Sequence, residues 1–182
     1  MQAIPQSPLH RYLEARDGLR LHYLDFPRPG APLSVVCLPG LSRPAEDFEA
    51  LAAKLNADGR RVLALDYRGR GDSQWDSDWA HYDLDVEEDD ILRVLAQEGA
   101  ELILHGHNHR DDLLDFEWKS GRIPIVGIAS GSAARGHKGE DLGRYNLVRI
   151  ARVGRAPHIE LTTRGLDPSV SRIEQIGRKL LT

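Results

Sequence analysis

The chain has 182 residues, 41% hydrophobic and 29% charged, with a formal net charge of -4 and a mean hydropathy of -0.43. That balance suits one ordinary domain or two very small ones and argues against disorder. No apolar run reaches the roughly 18 to 20 residues that span a bilayer, and residues 1–8 lack a secretory pattern, so a cytoplasmic chain with no membrane partner is expected.

Residues 11–15 and 19–26 are short runs separated by Asp17-Gly18, a dipeptide suited to a tight turn between antiparallel strands. Residues 34–38 then form a continuous apolar run of the kind a strand buried on both faces needs. The single cysteine, Cys37, lies inside it and reads as a small buried hydrophobe, and one cysteine excludes any disulfide within the chain. Phe48, Leu51, Ala52 and Leu55 make the apolar stripe of a helix over 46–56, which Gly59 ends. Residues 61–65 read as a second buried strand and 87–97 as a second helix, with carboxylates in its first turn where the helix dipole favours them. A further strand is expected at 101–104.

This alternation predicts an α/β fold: a three-layer sandwich with a mainly parallel sheet in the first half. From Arg110 onward the pattern becomes β-rich, with strand-like runs at 123–129, 145–150 and 159–163 and a closing helix at 169–181. The change falls near 97–100, so 1–97 and 98–182 are read as two segments merged into one globular body. Charge divides in the same place. Residues 1–97 hold 11 basic and 17 acidic side chains, and 98–182 hold 13 and 11. Eight carboxylates with no Lys or Arg stand between Asp76 and Asp90, which reads as a solvated loop and helix start. The cations of the second segment are scattered singly, so no nucleic-acid partner is expected.

Two glycine-containing turns follow the first two buried strands, Leu38-Pro39-Gly40-Leu41-Ser42-Arg43 and Asp66-Tyr67-Arg68-Gly69-Arg70-Gly71-Asp72-Ser73. Each stands at the carboxyl end of a strand, where α/β sheets place ligands. Together they resemble the α/β-hydrolase family over about residues 11–95. The resemblance implies that the backbone N–H of Leu41 occupies an oxyanion-hole position, one of two donors that stabilise a tetrahedral intermediate. The family's mechanism also needs a serine on a G-x-S-x-G elbow, with an acid and a histidine to activate it. No G-x-S-x-G occurs in the chain, and Gly127-Ile128-Ala129-Ser130-Gly131 has the wrong spacing.

Where the elbow is expected stands Leu104-His105-Gly106-His107-Asn108-His109. Imidazoles at i and i+2 on a tight turn can converge on one metal ion. With Pro124-Ile125-Val126-Gly127-Ile128-Ala129-Ser130 and Tyr145-Asn146-Leu147, this stretch resembles the C-terminal part of a calcineurin-like metallophosphoesterase, over about residues 97–182. The resemblance implies that His107 and His109 are ligands of divalent ions such as manganese, iron or zinc. The family's earlier ligand motifs, D-x-H, G-D-x-x-D and G-N-H-(D/E), do not occur in the chain. Two histidines hold an ion weakly, since stable sites supply three or four ligands. Asp111, Asp112 or His105 could lend a third donor, while His137 reads as an exposed loop residue.

The expectation is therefore a composite of hydrolase segments with incomplete catalytic sets and little activity beyond weak divalent-metal binding. The alternatives are a metal-dependent phosphoesterase and an α/β-hydrolase esterase. A small-molecule ester or phosphoester is the only partner class the residues suggest.

Overall fold

The computed structural model describes residues 7–31, 34–40, 42–98, 101–105, 110–118, 121–133, 141–153, 156–167, 169 and 171–181. The chain divides into two compact units, Met1–Gly99 and Ala100–Thr182. Among the described residues no helix is long and apolar enough to cross a membrane.

The first unit opens with the expected hairpin, β1 (Leu9–Glu14) and β2 (Arg20–Phe26). Gly18 sits at φ 85° in the turn, a left-handed conformation that glycine adopts without a steric cost. Next come β3 (Ser34–Cys37), a 3-10 turn at Ala45–Phe48 running into α1 (Glu49–Ala57), β4 (Arg61–Leu65) and α2 (Leu84–Glu98). The sheet order is β1-β2-β4-β3. Only the β3–β4 pairing is parallel; β1–β2 and β2–β4 are antiparallel. The sheet is therefore mixed rather than mainly parallel, because the hairpin that begins the unit lays β2 against β4 in the opposite sense.

Side chains alternate across β4, and each face has its own core. Val62 and Ala64 pack with Leu24, Phe26, Ala52 and Leu55, so α1 covers this face. Leu63 and Leu65 pack with Tyr23, Ile91 and Val94, so α2 covers the other. Full burial of a side chain such as Leu63 is worth roughly 1.5–3 kcal/mol. A strand buried on both faces needs an unbroken apolar sequence, which Val62-Leu63-Ala64-Leu65 supplies.

The second unit is built of β5 (Ile103–His105), β6 (Leu113–Trp118), β7 (Gly121–Gly127), β8 (Arg144–Val153), β9 (Ala156–Leu166) and β10 (Ile173–Leu180). They form two three-stranded sheets, β5-β7-β6 and β10-β9-β8. The strand near 101–104, β5, pairs with β7 in parallel register. One expectation is corrected here. The closing helix is the strand β10, which runs antiparallel to β9. Its register shifts between Gln175 and Gly177, leaving Ile176 as an extra residue in a bulge. That bulge spaces Ile173, Ile176 and Leu180 like a helical stripe, yet all three are exposed. Strand β6 had not been expected, although Leu114 and Phe116 alternate with Asp115 and Glu117 as strand residues do.

Candidate functional site

The best-defined polar arrangement follows β4, where Asp66 begins the second of the two glycine turns. Asp66 and His22 are both fully buried. The Asp66 carboxylate accepts from His22 Nδ1 at 2.7 Å, from the Ala45 N–H at 2.6 Å and from the Asp72 N–H at 3.2 Å. Three donors compensate a charge that would otherwise be costly to bury. The backbone of Asp66 is held too: its N–H donates to the His22 carbonyl at 3.0 Å, and its carbonyl accepts from the Ser73 hydroxyl at 2.8 Å. Ser73 Oγ in turn accepts the His22 N–H at 2.8 Å. Residues at opposite ends of the motif thus close one loop against β2.

Glycine is demanded inside this loop. Gly71 has φ 47°, and a Cβ there would stand 2.2 Å from an Asp66 carboxylate oxygen. Gly69 has φ 66°, and a Cβ there would stand 2.5 Å from the Tyr82 hydroxyl. Both the backbone conformation and the close approach therefore exclude a side chain.

In the same turn stands Arg68, whose side chain is 1% exposed. Its guanidinium donates to both Asp90 oxygens at 2.8 and 2.9 Å and to Asp17 at 3.0 Å. The bond to Asp90, more than the opposing burial, raises the guanidinium's pKa further. Burial pushes the Asp90 carboxyl up, and Arg68 offsets only part of that. Burial also works to raise Asp17, but the Arg68 and Leu19 N–H bonds outweigh it and leave this carboxyl lowered. Nearby, burial raises Glu87 against the pull of Arg70, and Glu87 Oε1 has no hydrogen-bond partner among the described residues.

The first turn is tied to the same centre, since Ala45, which donates to Asp66, follows it directly. Within that turn the Arg43 N–H donates to the Gly40 carbonyl at 2.8 Å. Leu41, the expected oxyanion residue, lies outside the described residues, as do His107, His109 and His137. Of the donors expected to supplement those histidines, Asp111 is ion-paired with Arg144, which also holds Asp141 at 2.9 Å. The Asp112 carbonyl accepts the Gly127 N–H at 2.8 Å, and the His105 ring lies against Gly127. Cys37 is buried and its thiol is pushed up to about 11 by burial, which suits a core residue and not a nucleophile.

Sequence reasoning missed His10 and His22. The hairpin register pairs Tyr12 with His22 and His10 with Leu24, so the two histidines are diagonal neighbours on one face of β1 and β2. The Asp17-Gly18 turn fixes that register, so counting outward from it would have found them. Among the described residues, two groups of His and Asp donors gather within 4.8 Å: His10, His22 and Asp72; and Asp17, Asp76 and His81.

No family profile matches the chain. A 3-hydroxybutyrate-oligomer hydrolase of Cupriavidus necator is 32% identical over 103 residues, which are 57% of this chain and 35% of that protein. An α/β hydrolase of Novosphingobium aromaticivorans superposes with a TM-score of 0.50 at 41% identity, covering 55% of this chain and 35% of that one. The thioesterase domain from the curacin biosynthetic pathway also gives a TM-score of 0.50, at 24% identity, over 56% of this chain and 37% of that domain. The chain is thus similar to α/β hydrolases over about half its length, and it spans about a third of the length of these relatives.

Proposed function

We propose that the chain is a hydrolase-derived composite, whose first unit keeps the turn scaffold of an α/β hydrolase and whose second unit descends from a calcineurin-like metallophosphoesterase. In this reading the first unit belongs to the ester-hydrolysing branch of relatives, with the backbone of Leu41 at the oxyanion position. One observation carries it. Every polar side chain of the Asp66–Ser73 turn that is buried is committed to structure: Asp66 to three donors, Arg68 to two carboxylates and Ser73 to two backbone groups. The turn therefore supplies shape and not a reacting group, and no serine elbow stands in the sequence to use that shape. Little or no ester hydrolysis by this chain alone follows, because an unactivated hydroxyl is a poor nucleophile.

In the second unit, His107 and His109 would contribute imidazole donors to a divalent ion. The donor set does not fit a two-ion phosphoesterase centre, which needs a bridging carboxylate and several further ligands. Asp111, nearby in sequence, is already spent on Arg144. The reading is limited to weak binding of one ion such as manganese, iron or zinc, and no hydrolytic step is routed through it.

The test is paired. A fluorophosphonate probe is expected to leave the folded protein unlabelled, and p-nitrophenyl butyrate to be hydrolysed at the buffer rate. Stoichiometric labelling at one serine would overturn the reading in favour of an esterase. Manganese-dependent turnover of bis-p-nitrophenyl phosphate, lost in His107→Ala, would overturn it in favour of a phosphoesterase.

A further inference from the structure

We propose that His10, His22 and Asp72 form a binding site for one divalent transition ion of the zinc type, where the first hairpin meets the Asp66–Ser73 turn. The three donor atoms converge. His10 Nδ1 lies 2.9 Å from His22 Nε2 and 3.5 Å from Asp72 Oδ2, and His22 Nε2 lies 4.0 Å from Asp72 Oδ2. Three ligands held tetrahedrally at zinc distances stand about 3.4 Å from one another, a value these separations straddle.

The site is supported from beneath. His22 is fully buried and gives its Nδ1 proton to the Asp66 carboxylate, which fixes the tautomer and leaves the Nε2 lone pair facing His10. A carboxylate behind a histidine, oriented in this way, is the arrangement that aligns and strengthens an imidazole ligand. The same Asp66 oxygen accepts the Asp72 N–H, so a single buried group positions two of the three ligands. His10 and Asp72 are more than half exposed, which leaves an entry path and room for water as the fourth ligand. Binding would require His10 to hold its proton on Nε2, so that the Nδ1 now hydrogen-bonded to His22 Nε2 is free to ligate. The second donor group, Asp17, Asp76 and His81, differs in the decisive respect: the Arg68 guanidinium already stands 3.0 Å from Asp17 and 3.7 Å from Asp76 and supplies their countercharge.

The experiment uses the full chain carrying His107→Ala and His109→Ala, so that the ion proposed for the second unit cannot contribute. Zinc is titrated by calorimetry and cobalt(II) by its ligand-field absorption. One equivalent is expected to bind, with cobalt bands of tetrahedral type. His10→Ala and Asp72→Asn, both at exposed positions and checked for fold by circular dichroism, are each expected to weaken binding about tenfold or more. Unchanged affinity in both single variants, or no saturable uptake by the parent at millimolar zinc, would overturn the site and leave His10 and His22 as a hydrogen-bonded pair.

Discussion

Arg68 and Arg144 are each an arginine paired with more than one aspartate, yet they do different things. Arg68 is 1% exposed and gathers Asp90 and Asp17 inside the first unit, whereas Arg144 is 24% exposed and bridges Asp111 and Asp141 at the surface of the second. Both units bury apolar residues, Ile159 and Leu161 in the second among them, but particular leucines contrast. Leu21, Leu24, Leu63 and Leu65 are sealed in the first unit; Leu104, Leu114, Leu147 and Leu180 are more than half exposed in the second. In one unit, the buried Arg68 and Asp90 hold each other in a two-bond geometry. In the other, antiparallel pairing joins β6 to β7 and β9 to both β8 and β10.

The sharpest way to break this contrast is to remove the two arginines in turn. Arg68→Ala strands Asp90 in the interior and is expected to destabilise the first unit by about 3–5 kcal/mol, read from urea unfolding. Arg144→Ala should cost the second unit about 1 kcal/mol or less. Equal effects would show that the two ion-pair groups are equivalent. Leu63→Ala should cost about 2–5 kcal/mol, while Leu114→Ala should stay within about 0.5 kcal/mol, as followed by hydrogen exchange resolved over each unit. Gly71→Ala comes next. The backbone conformation alone costs about 1–2 kcal/mol, and the displaced Asp66 carboxylate adds to that, visible as a lowered thermal midpoint.

The smallest effect sharpens the contrast from the other side, through a hydrogen-bonded carboxylate of the second unit. Asp167 accepts from the Ser169 hydroxyl and from the Ser171 and Arg172 N–H groups, and these bonds lower its carboxyl from 3.8 to about 2. A lowered carboxyl contributes stability that is present above its unfolded value and lost as pH falls through the folded one. Asp167→Asn should therefore reduce the thermal midpoint modestly near neutrality, and the difference should fade between about pH 4 and pH 2. A difference that persisted below about pH 2 would remove charge as its cause.

What the residues announced in advance is spread over both units, since the runs at 123–129, 145–150 and 159–163 fall on β7, β8 and β9. The hairpin, β3, α1 and β4 were legible because Asp17-Gly18 and the apolar runs at 34–38 and 61–65 are signals made by neighbours in sequence. The mixed sheet was less so, since pairing sense depends on which strand β4 meets. Strand β10 was misread as a helix because a bulge at Ile176 imitates helical spacing. At the site, the glycines and Asp66 marked a turn, but the bonds from His22, Ala45 and Asp72 to one carboxylate join positions 44, 21 and 6 residues apart, which no local pattern encodes. His10 and His22 were legible by contrast, since the Asp17-Gly18 turn sets the strand register that brings them together.

The guanidinium of Arg68 has one more consequence, for a chain emerging from the ribosome. Its partners lie 51 residues earlier, at Asp17, and 22 residues later, at Asp90. A nascent chain that has released only the hairpin and β4 offers that cation Asp17 but not Asp90, so its burial is only half compensated. The first unit is expected to close in a single step once Asp90 leaves the exit tunnel, rather than growing strand by strand as synthesis proceeds.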